Sequence, residues 1–256
     1  MDDVARSTSY DRSGELLAIS ADAIAGIDIP EPATANEPEI PAYLQDTYYW
    51  AYINPRNVRL LDREFVVRTI LWQQHKKLQR LAFAEIRPGQ SVLQPASVYG
   101  SFAPNLAKHL GPEGSLDVVD VARVQVNSVG KKLQPYPNAT VHHANIVHFS
   151  KRPYDVVCCY FLLHEVPEAY KHKIVNLLLE KVEPGGKVVF VDYHKPRWWH
   201  PLKLITSIVF DTLEPFAKTL WRNEIQSYAV NATKYNWRKE TIFAGLFQKI
   251  VATRLD

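Results

Sequence analysis

The chain has 256 residues, 46% of them hydrophobic, which is enough for one substantial core. No segment approaches the ~18 uncharged apolar residues that span a bilayer, and no secretory signal pattern is present, so we expect neither a transmembrane nor a secreted protein. Cys158 and Cys159 are adjacent in an apolar run, where they cannot pair without severe strain. This favours a reducing, cytoplasmic compartment.

The net charge of +3 conceals a strong asymmetry. Residues 1–46 contain ten acidic residues against two arginines, so the remaining 210 residues carry +11. A basic body of this kind favours an anionic partner, such as a membrane surface, a nucleic acid or an anionic ligand. Because the sequence has no zinc finger, RNA-binding motif or clustered basic tract, we expect no nucleic-acid partner.

The N-terminal part of the chain divides into three segments. Residues 1–42 are acidic and rich in Ala, Pro and Ser, a composition typical of a flexible arm. From Asp62 to Glu85, apolar residues recur at helical spacing, which predicts a helix with Asp62 as its N-cap. Between these two segments lies an aromatic cluster that either caps the core or covers a substrate, and it consists of Tyr43, Tyr48, Tyr49, Trp50 and Tyr52.

From residue 91 onward, strand-like and helix-like segments alternate, which predicts an α/β fold with a doubly wound, mostly parallel sheet. In such a fold ligands bind at the carboxyl ends of the strands. We expect one domain over residues 43–256, with a last helix and strand from Ile242 to Leu255. The predicted strands are Ser91–Gln94, Leu116–Asp120, Thr140–His143, Tyr154–Tyr160 and Lys187–His194, and the predicted helices are Phe102–Leu110, Val124–Leu133 and Glu168–Val182.

Three features along these strands suit a nucleoside. The first strand runs into the turn QPASVYGSF, where this fold places a glycine-rich loop, but only Gly100 remains of a dinucleotide fingerprint. Asp120 ends the second strand, where a carboxylate accepts hydrogen bonds from ribose hydroxyls, and Asn145 follows the third, where an amide meets an adenine edge. Each residue alone reads equally well as a cap or turn, whereas together they predict a nucleoside site.

Four segments also carry a family resemblance: VLQPASVYGSF, LDVVDVA, YDVVCCYFLLHEVP and PGGKVVFVDYHKP. Over residues 60–200 they resemble the successive motifs of the ubiquinone/menaquinone C-methyltransferase family. The QPASVYG turn, CCYFLLHEVP, the aromatic YYWAYINPRNVRLLD and the downstream HPLKLITSIVFDTLEPFAKTLWRNEI are similar to the RquA family of rhodoquinone biosynthesis proteins. This second resemblance covers residues 43–228.

The resemblance implies a class I S-adenosylmethionine-dependent methyltransferase-like fold and an enzyme that converts ubiquinone to rhodoquinone. A ring methoxy group would be replaced by an amino group, with S-adenosylmethionine as amino donor and manganese(II) support. The enzyme would act peripherally on the cytoplasmic face of the inner membrane, where its quinone resides. The residues expected at the cofactor are Gln94, Ala96, Ser97, Tyr99, Gly100, Asp120, Asn145 and Phe161.

The turn after the first strand departs from that of true methyltransferases, which have an acid-led loop with two or three glycines. We expect Val98 and Tyr99 to obstruct the approach of backbone amides to the amino acid end of the cofactor. Gln94 in place of the acid removes a partner of the cofactor's ammonium, and an amine held less tightly as a cation is available as a nucleophile. The alternative is a degenerate loop that binds the cofactor poorly or not at all.

Polar residues end two neighbouring strands and are candidates for the chemistry. Alternation places Asp192 and His194 on one face of their strand, where they suit a hard divalent ion such as manganese. His164 suits proton transfer near neutral pH, and Tyr193 and Tyr99 are further catalytic candidates. Each of these side chains also has a purely structural explanation, as a cap, a hydrogen-bonded group or a packed ring.

Residues 196–228 form an amphipathic segment. Its apolar residues recur at three- and four-residue steps between Trp198 and Trp221, with basic residues at both ends, which predicts a helix lying on anionic lipid and broken near Pro215. Asp211 and Glu214 argue against deep burial in lipid and suit a pocket instead. The competing interpretation is a core helix or a dimer helix, and the latter would make the chain a homo-oligomer.

Two other functions stay open at this point. The first is a conventional quinone C- or O-methyltransferase, against which the altered turn argues. The second is a non-catalytic module that presents quinone or cofactor to a partner, against which the polar strand ends argue.

Overall fold

The computed structural model describes residues 38–255, so most of the acidic segment 1–42 lies outside the described range. Its centre is a seven-stranded sheet. The strands are β1 Ser91–Gln94, β2 Ser115–Asp120, β3 Ala139–His143, β4 Tyr154–Tyr160, β5 Val182–Tyr193, β6 Tyr235–Ile242 and β7 Phe247–Arg254. They lie in the order β3-β2-β1-β4-β5-β7-β6. The first five are parallel, and β7 runs antiparallel to both of its neighbours.

Helices cover both faces of this sheet. Within residues 38–255 the longest helix has 13 residues, and none combines the length and apolarity needed to cross a bilayer. The α-helices are α1 Ala42–Tyr48, α2 Pro55–Leu61, α3 Glu64–Ile70, α4 His75–Phe83, α5 Phe102–Leu110, α6 Arg123–Leu133, α7 Glu168–Glu180 and α8 Lys203–Thr212. Shorter turns are the π-helical Tyr49–Ile53 and the 3₁₀ segments Leu163–Glu165, Ala217–Trp221, Ile225–Tyr228 and Ala232–Lys234.

The core consists of two layers, one on each face of the sheet. On one face Val156 packs with Phe102 and Leu106 of α5, and on the other Val157 packs with residues of α7 such as Val175. Successive residues of a strand point to opposite faces, so a strand buried on both sides must be apolar throughout. The predicted doubly wound α/β architecture is confirmed.

The helix predicted from Asp62 to Glu85 is wrong in two respects. It is split into α3 and α4, because Trp72 and Gln73 adopt positive φ angles of 50° and 64°, which no α-helix accommodates. Asp62 is not an N-cap, because it ends α2 and its carboxylate binds other elements. The helical spacing of apolar residues continues across this short break, so the sequence pattern did not reveal that the helix is interrupted.

At the end of the chain the expected last strand is confirmed as β7, whereas the expected helix is wrong, because residues 243–246 form a turn. Residues 235–254 form β6 and β7, and β7 inserts between β5 and β6. Phe247 to Ala252 are all buried, as in a strand covered on both faces. A short continuous apolar run fits a buried helix or a buried strand equally well, and periodicity alone does not separate them.

Asp62 joins three elements around the turn that follows β1. Its carboxylate accepts hydrogen bonds from the Gly100 N–H (2.8 Å), the Ser128 hydroxyl (3.0 Å) and the Lys132 ammonium (2.7 Å). Lys132 also donates to the Gly100 carbonyl oxygen at 2.8 Å. Gly100 has a φ of +78°, and an added Cβ would lie 3.1 Å from a Glu64 carboxylate oxygen, so the turn needs glycine here.

We predict that Asp62→Ala lowers the free energy of unfolding by about 2–3 kcal/mol, because it leaves a half-buried ammonium and a backbone N–H without their acceptor. Chemical denaturation measures the loss. Asp211→Ala is the matched control, because Asp211 is 61% exposed and pairs only with Lys218 in a surface ion pair, and we expect a loss below about 1 kcal/mol. Equal losses in the two variants would contradict the role given to Asp62.

Candidate active site

A first cavity of about 730 Å³ opens at the carboxyl ends of β1, β2 and β3. The chain just after each strand forms its floor, at residues 95–97, 120–122 and 144–146. Tyr43 and Leu44 of α1 and Tyr52 of the π-helical turn cover it. This is the position in which an open α/β sheet binds ligands.

Asp120 is the charged group of the first cavity. Its two oxygens accept the Ser97 N–H (2.9 Å) and the Ala122 N–H (2.8 Å). Burial raises the pKa of Asp120 to about 6, and these backbone donors oppose the shift, so the carboxyl is ionised at neutral pH. The Val121 N–H is a third backbone donor, so about one of the four acceptor positions of the carboxylate remains for a ligand hydroxyl.

A second cavity of about 870 Å³ lies beside the first and is mainly apolar. Its polar side chains include His164, Glu165 and Glu214, which come from the 3₁₀ turn after β4 and from the segment after α8. Aromatic rings from three parts of the chain form much of the rest. The apolar and aromatic lining includes Trp50, Leu61, Val67, Ile70, Leu71, Val98, Phe102, Tyr160, Phe161 and Tyr193.

Three residues line both cavities and form a shared wall: Tyr52, Ser97 and Glu165. The Tyr52 hydroxyl donates to Oε1 of Glu165. The Tyr52 ring stacks on Tyr99 with 5.6 Å between centroids and 9° between planes. Tyr99 is itself held by two hydrogen bonds, one donated to the Ala51 carbonyl and one accepted from Gln125 at 3.1 Å. The wall is therefore built from N-terminal residues and strand-end turns together.

His164 is oriented by a buried carboxylate. Its Nδ1 lies 2.9 Å from Oδ1 of Asp192, and both residues are buried. Burial opposes the charged form of the imidazole, but the Asp192 carboxylate outweighs burial and raises the pKa of His164 to about 9. The other ring nitrogen, Nε2, lies 3.5 Å from Oε1 of Glu165. His164 is thus a cation at neutral pH with one nitrogen directed toward the wall.

Two buried carboxyl groups accompany this imidazole. Burial raises the pKa of Glu165 to about 8, although the His164 charge opposes the shift. Burial likewise raises the pKa of Glu214, again against the His164 charge. The Tyr48 hydroxyl interacts with the Glu214 carboxyl and also opposes the rise of its pKa. The site therefore contains an imidazole and carboxyl groups whose pKa values are all raised above their ordinary values.

The structure divides the predicted cofactor residues between the two cavities. Ala96, Ser97, Asp120 and Asn145 line the first cavity, whereas Tyr99 and Phe161 line the second. Val98 also lines the second cavity, so neither Val98 nor Tyr99 obstructs the first in the way expected from the sequence.

Gln94 and Gly100 are absent from the lining of both cavities. The side chain of Gln94 is fully buried beneath the turn, where Nε2 donates to the Ala96 carbonyl at 2.8 Å. Gly100 is bound to Asp62 and Lys132. Both residues hold the turn in shape, and neither contacts the space that a ligand would fill.

Asp192 and His194 do not fit a manganese site. The Asp192 carboxylate already accepts hydrogen bonds from three backbone N–H groups and from His164. His194 is engaged elsewhere, with Nδ1 2.9 Å from the Gly245 carbonyl and Nε2 2.9 Å from the Lys239 ammonium. Within residues 38–255, no group of three or more His, Cys, Asp or Glu residues is arranged to hold a metal ion.

Three residues of the site were not among the sequence-based site predictions: Tyr52, Glu165 and Glu214. Glu165 follows His164 directly, so its neighbour was the available signal, but a glutamate just before a helix is usually a cap. Glu214 was expected to face a pocket and does line the second cavity, but the sequence indicated no chemical role for it, whereas Asp211 is 61% exposed and lines neither cavity. Tyr52 is one of several aromatic residues in its cluster, and it meets Glu165 from 113 positions away in the chain.

Comparison with known proteins identifies the class of fold. Residues 92–186 match the methyltransferase domain family Methyltransf_25. The chain resembles a solved O-methyltransferase family protein from Burkholderia thailandensis (TM-score 0.62, 14% identity, 80% of this chain and 64% of that one). It also resembles the N-methyltransferase NodS from Bradyrhizobium japonicum in complex with S-adenosyl-L-homocysteine (TM-score 0.54, 14% identity, 84% of this chain and 99% of that one). The fold is that of the class I S-adenosylmethionine-dependent methyltransferases.

Among curated sequences, the chain is similar to ubiquinone/menaquinone biosynthesis C-methyltransferases UbiE. It is 28% identical to that of Cupriavidus metallidurans over 170 residues, which are 65% of each chain. It is 26% identical to that of Ralstonia pickettii over 159 residues, which are 59% of this chain and 62% of that one. The similarity thus spans less than two thirds of the length of these relatives.

S-adenosylmethionine fits the donor set of the first cavity. Asp120 occupies the strand-end position from which an acid binds ribose hydroxyls. Asn145 lies across the same cavity, and its Oδ1 accepts the Val147 N–H at 3.1 Å, which fixes the loop that carries it. These residues, with Ala96 and Ser97, would hold the nucleoside part.

We predict that Asp192→Asn lowers the pKa of His164, because the neutral amide no longer stabilises the imidazolium. When folding raises the pKa of a group, that group contributes its full stabilisation at pH values below its pKa in the unfolded chain. The contribution is lost as the pH rises through its pKa in the folded protein. The wild-type free energy of unfolding should therefore decline between about pH 6.5 and pH 9, and the variant should flatten this decline.

NMR titration of the His164 ring measures the shift directly. Asp117→Asn is the matched control, because Asp117 pairs with a different histidine, His142, at 2.6 Å. The control should leave the titration of His164 unchanged. An unchanged His164 titration in Asp192→Asn would refute the assigned electrostatic role of Asp192.

Proposed function

We propose that this chain is a rhodoquinone biosynthesis protein of the RquA family, which replaces a methoxy group of the ubiquinone ring by an amino group from S-adenosylmethionine. The observation that carries the proposal is the shared wall of Tyr52, Ser97 and Glu165 between a cavity suited to a nucleoside and an apolar cavity suited to a quinone. The curated relatives, which are named for ubiquinone and menaquinone biosynthesis, support a quinone as substrate.

The second cavity has the properties that a quinone ring requires. A planar, largely apolar ring packs favourably against aromatic side chains, and the cavity presents Tyr160, Phe161 and Tyr193. The ring oxygens and methoxy groups need a few polar partners, which His164 and Glu214 supply at one end. The long isoprenoid tail would leave through the apolar side formed by Trp50 and Ile70.

When bound, S-adenosylmethionine supplies the amine as its ammonium, which is not a nucleophile until it loses a proton. The ionised form of Glu165 accepts that proton at the wall between the cavities. As the carbon–nitrogen bond forms, His164 donates a proton from Nε2 to the departing methoxy oxygen, and Asp192 holds the imidazole in position. The carbon–oxygen bond breaks, and methanol leaves.

The proton count of this displacement balances, and release of the amino group then requires the bond between the nitrogen and the α-carbon of the cosubstrate to break. The quinone ring would serve as the two-electron oxidant of that carbon and water would supply the oxygen of the resulting keto acid, so that the product leaves as an aminohydroquinone. Two protons leave the nitrogen, of which one replaces the proton that His164 gives to methanol and the other passes through Glu165 to solvent. The arrangement requires Glu165 to be ionised and His164 to be protonated at the same time. Because their pKa values are about 8 and about 9, this state is populated most between those values.

The second candidate function is a conventional quinone C-methyltransferase, which the names of the curated relatives favour. The same two cavities would serve it, because a methyl group would also have to pass the shared wall. Glu165 would then remove a proton from the ring carbon. The two functions differ in which atom of the cosubstrate reaches the quinone.

We predict that nitrogen, and not the methyl carbon, of S-adenosylmethionine appears in the quinone product. Purified full-length protein is incubated with a short-tailed ubiquinone and with cosubstrate labelled separately at the amine nitrogen and the methyl carbon, with and without manganese(II). Mass spectrometry follows both labels. Methyl label in the quinone would establish the conventional methyltransferase instead, and tight cosubstrate binding without turnover would favour a non-catalytic module.

We predict that Glu165→Gln lowers the turnover rate by about 10²–10⁴-fold, because the amide does not accept the proton of the ammonium. The wild-type rate should rise through about pH 8 and fall above about pH 9, and the variant should lose the rising limb. Glu180→Gln, at the exposed end of α7, is the matched control and should keep the wild-type rate and profile. A rising limb that persists in Glu165→Gln would assign the base to another group.

A further inference from the structure

Large apolar side chains are exposed on two segments that border the second cavity. On α8 and the turn before it, Trp198 is 84% exposed and Leu204 is 72% exposed. On α2 and α3, Phe65 is 66% exposed and Leu60 is 52% exposed. We call these the docking face, which comprises Leu60, Phe65, Ile70, Trp198, Leu204 and Ile208.

Packing within the described residues does not account for this exposure. The inward side of α8 is already complete, since Thr206 and Phe210 are buried and Val209 packs against the core. The outward side of the same helix is nevertheless apolar, at Leu204, Ile205 and Ile208. The helix is thus apolar on two sides, and the protein core covers only one of them. The other side is a surface that a second apolar phase can cover.

The docking face has a basic border. Arg56, Arg59, Arg63 and Arg68 are exposed on α2 and α3 and beside them. The acids within these segments have partners of their own: Asp62 is engaged inward by Gly100, Ser128 and Lys132, Glu64 by Ser101 and His75, and Asp211 by Lys218. Arg59 and Arg63 also line an open cavity of about 1050 Å³ together with Lys131 and Lys132. Lys195, Arg197 and Lys203 provide the corresponding positive charge around α8.

Both segments lie at the carboxyl edge of the sheet, where the two cavities open. Ile70 of the docking face and the neighbouring Trp50 line the second cavity. From the other side, Glu214 lines it two residues beyond the end of α8. A molecule embedded in an apolar phase against this face would reach the cavity without crossing water.

We propose that the docking face binds the surface of an anionic lipid bilayer. Exposed tryptophan and aliphatic side chains with an arginine and lysine border are the composition of segments that lie in the bilayer interface. Lipid accounts for the charge better than a second copy of the chain does, because a two-fold interface would place the same cationic border against itself. The proposal needs neither a quinone nor a cosubstrate, so it stands or falls separately from the amination.

The first test is flotation of the full-length protein with vesicles of phosphatidylcholine containing phosphatidylglycerol. The triple variant Trp198→Ser, Leu204→Ser, Ile208→Ser should partition at least about tenfold less onto these vesicles, because it removes most of the apolar area that inserts. The matched control is Val230→Ser with Leu255→Ser, two side chains that are 43% and 50% exposed outside the docking face. The control should bind like the wild type.

The second test concerns charge. Replacing Arg59 and Arg63 by Gln should weaken binding to the anionic vesicles by about fivefold per arginine and leave binding to pure phosphatidylcholine unchanged. Arg152→Gln is the control, because Arg152 precedes β4 and lies at the opposite edge of the sheet. Circular dichroism checks that each variant is folded, and turnover of a short-tailed quinone should be retained in all of them.

Two results would overturn the proposal. One is equal binding of wild type, triple variant and control to the vesicles, or no binding by any of them. The other is a doubled molar mass in light scattering that the triple variant abolishes while vesicle binding is absent, which would assign the docking face to a second copy of the chain.

Discussion

The buried contact between Asp192 and His164 organises the site. Asp192 is the penultimate residue of β5, and its carboxylate accepts hydrogen bonds from the backbone N–H groups of Leu163, His164 and Tyr193 and from the imidazole. The turn after β4 is therefore tied to the neighbouring strand through one side chain. This fixes Glu165 at the shared wall, and it keeps a charged imidazole in a place where burial alone would expel the charge.

The N-terminal segment, α1 and the π-helical turn, covers the site at the strand ends. An open α/β sheet presents its strand ends to solvent, and here α1 and the π-helical turn cover them, so that Tyr52 reaches Glu165 and Tyr99 reaches Ala51. Exclusion of water by these rings lowers the local dielectric and strengthens the electrostatic coupling between Glu165, Glu214 and His164. Burial itself raises the pKa values of the two carboxyl groups against the opposing charge of His164, so the site depends on residues far from the cofactor turn.

The sequence was sufficient for the parts of the fold that rest on local patterns. β1 and β4 are apolar runs bounded by turn residues, and their limits are as predicted. Asp120 and Asn145 were identified because chain order alone places strand ends at one edge of a parallel sheet. The sequence could not predict properties that depend on a distant partner. These are the positive φ angles at Trp72 and Gln73, the hydrogen bond between Asp192 and His164, and the contact of Tyr52 with Glu165.

The hydrogen bond from Tyr52 to Glu165 has a consequence for how the two cavities communicate. It occupies Oε1 of Glu165, the oxygen that also faces His164. An ammonium is a stronger donor than a phenol, because a hydrogen bond from a charged donor is about twice as strong. We therefore expect a bound ammonium to replace the Tyr52 hydroxyl at Glu165, which would release the ring that separates the cavities. Binding of the amine and opening of the wall would then be one event.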